Sequence, residues 1–68
     1  MKYYFKKELR KEALKGRTIT YIANELGYNR IHLYRVFSGN YSCSFRVANN
    51  ISDYFDPKLG INYFFQII

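Results

Sequence analysis

Apolar residues recur at helical spacing through the middle of the chain, and this pattern is the clearest structural signal in the sequence. Between Thr18 and Gly27 they follow the i, i+3, i+4, i+7 spacing of one helix face, at Ile19, Ile22, Ala23 and Leu26. Thr18 can cap the opening turn, and Gly27 can adopt the left-handed conformation in which helices commonly end. The pattern predicts a short amphipathic helix and then a tight turn.

A second helix is predicted directly after this turn, from about residue 29 to residue 38. Asn29 is a good N-cap, and the run Ser38-Gly39-Asn40 stops the helix. Its inward stripe consists of Leu33, Val36 and Phe37. At about 100° per residue, its outward side carries Ile31, Tyr34, Arg35 and Ser38, with Arg30 and His32 at the flanks.

Two further helices are expected to complete the core around this pair. The first runs from about Tyr3 to Leu14, and its inward positions are Phe5, Leu9 and Ala13. The fourth runs from about Ser44 to Tyr54, with Ser44 as N-cap and with Val47, Ile51 and Tyr54 facing the other helices. We therefore expect an all-α domain of four to five helices over residues 1–68, built as a single unit.

The C-terminal segment allows two conformations. Asp56 and Pro57 suit the N-cap and first position of a short last helical turn, but Gly60 and the β-rich run 61–68 could equally be extended. The tail is also very apolar for so small a domain. It either completes the core or forms an interface, and the interface candidates are Tyr63, Phe64, Phe65, Ile67 and Ile68.

Charge is distributed unevenly along the chain. The net charge is +6, and all of it lies in residues 1–35, which hold nine Lys or Arg and three Glu; residues 36–68 are neutral. A basic half beside the predicted helix pair fits a polyanion partner. The alternative is that the lysines of the first helix only solvate its outer face, and we assign most of them to that role.

The outward face of the helix at 29–38 is unlike an ordinary solvated face, because it has no acidic residue. Arginine can donate two hydrogen bonds to a guanine, and an exposed apolar group can contact a thymine methyl. The candidate base-reading or partner-contacting set is Arg30, Ile31, His32, Tyr34 and Arg35. Two helices and a glycine turn are a weak signal alone, and His32 could equally be a partly buried helix residue.

The order of residue types over 18–39 resembles the helix-turn-helix of Cro/CI-type phage repressors, without a gap. The shared features are Thr18 at the start, Ile22-Ala23 and Leu26-Gly27 in the first helix and turn, Asn29 as cap, and then Leu33, Arg35, Val36 and Gly39. The segment FKKELRKEALKGRT resembles the first helix of that family, and INYFF resembles its aromatic ending. The resemblance implies a lambda-repressor-like domain whose recognition helix lies in the major groove.

The resemblance also implies a set of backbone contacts and shows where they are missing. Phosphate contacts are expected from Arg17, Thr18, Thr20, Asn29, Ser38 and Asn40. Ile19 stands where the family usually has a phosphate-binding Gln, and Phe37 stands where it often has a Glu paired with the position of Arg10. The segment after Gly39, NYSCSF, lacks the basic residues that often contact phosphate there.

The function expected from these features is that of a small sequence-specific transcriptional regulator of phage or mobile-element origin. Its partner would be a double-stranded DNA operator, and it would act as a homodimer or in a heteromeric complex with another phage regulator. The expected location is the cytoplasm of a bacterial host, at the nucleoid when bound. The rival interpretation is an antirepressor or modulator that covers a partner repressor through the same helix-turn-helix surface and the aromatic C-terminus.

Composition argues against the other functional classes. One His, one Cys and five scattered acids offer no metal spacing, no nucleophile with its base and no paired carboxylates, so we expect no enzyme, metal or cofactor. A lone Cys43 excludes an internal disulfide, and no signal peptide is visible. The apolar run 61–68 is too short to span a bilayer, and we expect no membrane partner.

Overall fold

A computed structural model describes all 68 residues as a mostly helical fold with a small two-stranded sheet. The elements in chain order are β1 (Tyr3–Phe5), a 3-10 turn (Lys7–Leu9), α1 (Arg10–Leu14), α2 (Ile19–Leu26), α3 (Arg30–Ser38), α4 (Phe45–Phe55), α5 (Ile61–Phe64) and β2 (Phe65–Ile67).

The helix predicted from Tyr3 to Leu14 is wrong in its first half. Residues Tyr3–Phe5 form β1, which pairs antiparallel with β2 so that Tyr3 faces Ile67 and Phe5 faces Phe65. Burial alternates along β1, as is typical of a strand, because Tyr3 and Phe5 are buried and Tyr4 between them is half-buried. Helical structure begins only at Lys7, and α1 is five residues long.

The two conformations considered for the C-terminal tail both occur, one after the other. Gly60, at a positive φ of 79°, precedes the single helical turn α5, and the chain then becomes extended in β2. The helical turn does not begin at Asp56 and Pro57 as expected: Asp56 ends α4, and its Oδ1 accepts from the backbone N–H of Lys58 at 3.0 Å in a separate turn before Gly60. The two termini are thereby joined, and Lys2 and Ile68 exchange backbone hydrogen bonds of 2.8 and 2.9 Å.

The core is built around a cluster of phenylalanines. The Phe5 ring lies 4.9 Å from Phe37 and 5.4 Å from Phe65, centroid to centroid, and Phe55 links Phe37 at 5.9 Å to Phe64 at 5.5 Å. Edge-to-face contacts at these distances add to the burial of apolar area. The aromatic composition thus gives this short chain a core of its own.

Burial corrects part of the predicted interface. Phe64 and Phe65 are 4% and 1% exposed, so they belong to the core and present no surface to a partner. Tyr63, Ile67 and Ile68 remain exposed. Phe37 is fully buried within the aromatic cluster. This burial explains why the chain has an apolar residue at the position where Cro/CI-type repressors often have a Glu paired with the position of Arg10.

The helices predicted from the middle of the chain are confirmed. Thr18 Oγ1 accepts from the Tyr21 N–H at 3.0 Å, Gly27 ends α2 at φ 76°, and Ser44 Oγ accepts from the Val47 N–H at 3.3 Å at the start of α4. The α2 positions Ile19, Ile22 and Ala23 are buried as the spacing predicts. No helix combines the length and the apolar character needed to cross a membrane.

Candidate nucleic-acid interface

The N-cap and the buried side of α3 determine which of its residues face solvent. Asn29 Oδ1 accepts from the backbone N–H groups of Ile31 at 2.8 Å and His32 at 3.4 Å, which fixes where the helix begins. Leu33, Val36 and Phe37 are fully buried. With one side fixed in the core, the orientation of the opposite side is fixed as well.

That opposite side is open to solvent along its length. Ile31 is 57% exposed and Tyr34 47%, and Arg30, His32 and Arg35 are exposed too. The structure therefore brings all five candidate base-reading residues to one surface, which we call the α3 face (Arg30, Ile31, His32, Tyr34 and Arg35). It combines two guanidinium groups with an aliphatic and an aromatic side chain and contains no carboxylate.

One aromatic residue beyond α3, Tyr41, extends this surface, and it is not among the residues selected from the sequence. The Arg35 guanidinium lies over the ring of Tyr41, with its Cζ 5.7 Å from the ring centroid. Tyr41 is 54% exposed. Phe45 is also exposed, but its ring packs against Tyr3, with 5.9 Å between the ring centroids. The sequence indicated an extended surface only by the aromatic residues after Gly39, in a segment that has no charged residue.

Several of the predicted phosphate contacts take part in local backbone bonding. Ser38 Oγ donates to the Arg35 carbonyl at 2.6 Å and accepts from the Asn40 N–H at 3.2 Å, closing the end of α3. The oxygens of Thr18 and Asn29 serve as helix caps. Thr18, Asn29 and Asn40 are exposed, Ser38 is half-buried, and Thr20, on α2, is half-buried as well.

Arg17 has a structural role that its sequence position did not reveal. Its Nε donates to the Leu14 carbonyl at 3.0 Å and its Nη2 to the Ala13 carbonyl at 3.2 Å, so it caps the end of α1. Its Cζ lies 5.2 Å from the ring centroid of Tyr54 and 5.9 Å from that of Phe55. Arg17 thus connects α1 to α4.

No three His, Cys, Asp or Glu side chains come together as a metal site. Cys43 is half-buried, and burial raises the pKa of its thiol to about 11. The Tyr63 hydroxyl donates to Glu12 Oε2 at 3.1 Å, and this bond and the carboxylate charge raise the Tyr63 pKa.

Comparison with known proteins gives no match: no protein-family model fits the chain, and neither a curated protein nor a solved structure is similar to it. The case for a function therefore rests on the residues of the α3 face and on the charge around them.

Proposed function

We propose that the chain is a small sequence-specific DNA-binding transcriptional regulator of Cro/CI type, with α3 as a recognition helix in the major groove. The observation that carries this proposal is the α3 face itself. Arg30 and Arg35 are both exposed on a helix whose other side is anchored by fully buried residues. A rigid helix that presents arginines with an aliphatic and an aromatic side chain suits the mixture of acceptors and methyl groups at base edges.

The positive charge of the chain favours a nucleic acid over an uncharged molecule as its partner. The whole net charge of +6 lies in residues 1–35, which include α1, α2 and the first two turns of α3. Releasing counterions from DNA would contribute affinity for every sequence, and the α3 face would add discrimination among sequences.

We further propose that the protein binds operators as a homodimer in the bacterial cytoplasm. Two recognition helices spaced by about 34 Å would reach successive major-groove turns, and doubling the contacts would raise specific affinity. One surface available for pairing is the outer edge of β2, since the sheet has only two strands and Ile67 and Ile68 stay exposed. Light scattering across a concentration series tests this, and an Ile67→Lys variant should remain monomeric.

The experiment that tests DNA binding is a selection from a random duplex library, followed by gel shifts with the selected site and with DNA flanking the gene. Wild-type protein should enrich a defined motif, and Arg35→Ala should lose about 1–3 kcal/mol and relax preference at one base position. Lys58→Ala, which removes a cation from the neutral half of the chain, is the matched control. Binding of no duplex at low salt would overturn the proposal.

A second candidate function is supported by the apolar character of the same surface. Ile31, Tyr34 and Tyr41 are each about half exposed, and large exposed aromatic and aliphatic groups are typical of protein interfaces. In this case the protein would be an antirepressor or modulator that covers a partner repressor. Ile31→Asp or Tyr34→Ala should then abolish a complex with the neighbouring regulator that otherwise survives high salt.

A further inference from the structure

The N-terminal segment passes directly beside the C-terminal end of α3. A Cβ built on Gly39 would lie 3.0 Å from Lys7 Cβ, 3.5 Å from Lys7 Cδ and 3.2 Å from the Phe5 carbonyl oxygen. Lys7 is exposed, so its aliphatic stem lies along Gly39 while its ammonium reaches solvent. The 3-10 turn after β1 thus places the aliphatic stem of a lysine at the end of α3.

Arg35, on the last turn of α3, is assigned to base reading by the proposed function, and between it and Arg46 this position has no other cation of its own. The connection from Ser38 to Phe45 contains no Lys or Arg, and the C-terminal end of a helix carries a partial negative charge that repels phosphate. A helix lying in the major groove has sugar-phosphate backbone close to its ends. A cation supplied from elsewhere in the fold would remove this repulsion, and Lys7 is in the position to supply it.

A groove of about 300 Å³ beside Lys7 makes the site concave. Its lining includes Lys6, Lys7, Glu8, Gly39 and Gln66. The Lys6 ammonium donates to the Asn62 carbonyl at 3.0 Å, which holds that cation at the side of the groove. Glu8 contributes the opposing charge, so its carboxylate should weaken the attraction of the groove for an anion.

We propose that Lys7 contacts the DNA backbone at the C-terminal end of α3, where it replaces the cations that the segment after Gly39 lacks. The inference rests on the proposed DNA-binding function and adds a residue to it. From the sequence, Lys7 is one of the lysines expected on the solvated face of a first helix. The strand at Tyr3–Phe5 changes this, because Lys7, two residues after its end, lies against Gly39.

The test measures binding of a short mixed-sequence duplex by fluorescence anisotropy at several salt concentrations. Lys7→Gln keeps most of the stem over Gly39 and removes the charge. It should weaken binding to all duplexes alike and reduce the slope of log K against log salt by about one. The deficit relative to wild type should therefore shrink about fourfold between about 50 and about 200 mM salt.

Three further variants separate a phosphate contact from a structural or general charge effect. Lys7→Arg keeps the charge and should bind like wild type, and Lys58→Gln should leave both affinity and slope unchanged. Glu8→Gln should strengthen binding. The motif selected from a random library should be the same for Lys7→Gln and wild type, because a phosphate contact reads no base.

The outcomes separate this inference from the proposed function. If wild type binds and Lys7→Gln matches Lys58→Gln in affinity and slope, Lys7 makes no phosphate contact and only this inference fails. If Lys7→Gln has a lower melting temperature and Lys7→Arg shares its binding defect, the role of Lys7 is structural and the inference fails again. If wild type binds no duplex, both proposals fail.

Discussion

The guanidinium of Arg35 rests on the ring of Tyr41, with 5.7 Å between the arginine Cζ and the ring centroid. Arg35 is on the last turn of α3, and Tyr41 lies two residues beyond the glycine that ends the helix. The face of an aromatic ring attracts a cation, and the contact limits the rotamers that a long side chain samples in solution. Arg35 is therefore partly ordered before any partner arrives.

We expect Tyr41 to contribute to the sequence preference attributed to Arg35. Tyr41→Ala removes the ring, so discrimination at the base read by Arg35 should fall by about 0.5–1 kcal/mol, the size of an exposed cation–π contact. Tyr41→Phe keeps the ring and should keep the preference. Competition gel shifts with single-base variants of the selected site measure this. A uniform loss across all sequences would instead indicate that Tyr41 itself contacts the backbone.

Gly39 should be far less tolerant of substitution than Gly27, although both end a helix at positive φ. An alanine pays about 1–2 kcal/mol for the left-handed conformation at either position. At Gly27 the added Cβ meets nothing within 4 Å, whereas at Gly39 it meets Lys7 Cβ at 3.0 Å and the Phe5 carbonyl oxygen at 3.2 Å. This crowding should cost about 1–3 kcal/mol more.

Urea unfolding of Gly27→Ala and Gly39→Ala, each against wild type, measures the difference. The double variant Lys7→Gly with Gly39→Ala removes one of the two close contacts and should recover part of the extra loss. Equal destabilisation of the two single variants would show that the N-terminal segment does not pack against Gly39.

The helices around Gly27 could be predicted because their determinants are local. Capping by Thr18 and Asn29 and burial at helical spacing each depend on residues within a few positions of one another, and the structure confirms them. The same spacing identified the exposed side of α3. The part of the candidate site that lies on α3 could therefore be predicted from the sequence.

The rest of the fold and site depends on contacts between distant segments. Tyr3–Phe5 forms a strand because Phe65–Ile67 pairs with it. The helical spacing of Phe5, Leu9 and Ala13 gives no sign of that distant partner. The high strand propensity of Tyr and Phe was the local hint. Lys7 over Gly39 and Arg35 over Tyr41 follow from how segments meet, which neither periodicity nor charge counting describes.

Ser52 should be replaceable by alanine with a gain in stability. Its hydroxyl is fully buried in α4 and has no hydrogen-bond partner. Desolvating such a group costs about 1–3 kcal/mol, and alanine also has the higher helix propensity. Allowing for the small cavity left behind, we expect Ser52→Ala to stabilise the fold by about 1 kcal/mol.

A serine in the same helix provides the control. Ser44 caps α4 by accepting from the Val47 N–H at 3.3 Å, so Ser44→Ala should destabilise the fold by about 0.5–2 kcal/mol. Thermal unfolding of the two variants should therefore shift in opposite directions. A loss of stability in Ser52→Ala similar to that in Ser44→Ala would mean that the Ser52 hydroxyl has a partner in solution.

Cys43 should become a source of alkaline instability, because burial raises the pKa of its thiol to about 11 from an ordinary value of 9.0. An elevated pKa in the folded state means that the neutral thiol is favoured there. Its contribution to the free energy of unfolding is therefore complete below about pH 9 and is lost as the pH rises toward about 11. Over this interval the unfolded chain releases the proton first, and stability falls.

The measurement compares wild type with Cys43→Ala, since lysines and tyrosines titrate in the same range and only the difference isolates the thiol. The free energy of unfolding of wild type should decrease more steeply than that of Cys43→Ala above about pH 9. Below that pH the difference should be constant. The folded protein should also alkylate slowly at neutral pH compared with the urea-unfolded chain, because the thiolate is the reactive species. Parallel pH dependences and equal alkylation rates would show that the thiol is accessible to water in the folded state.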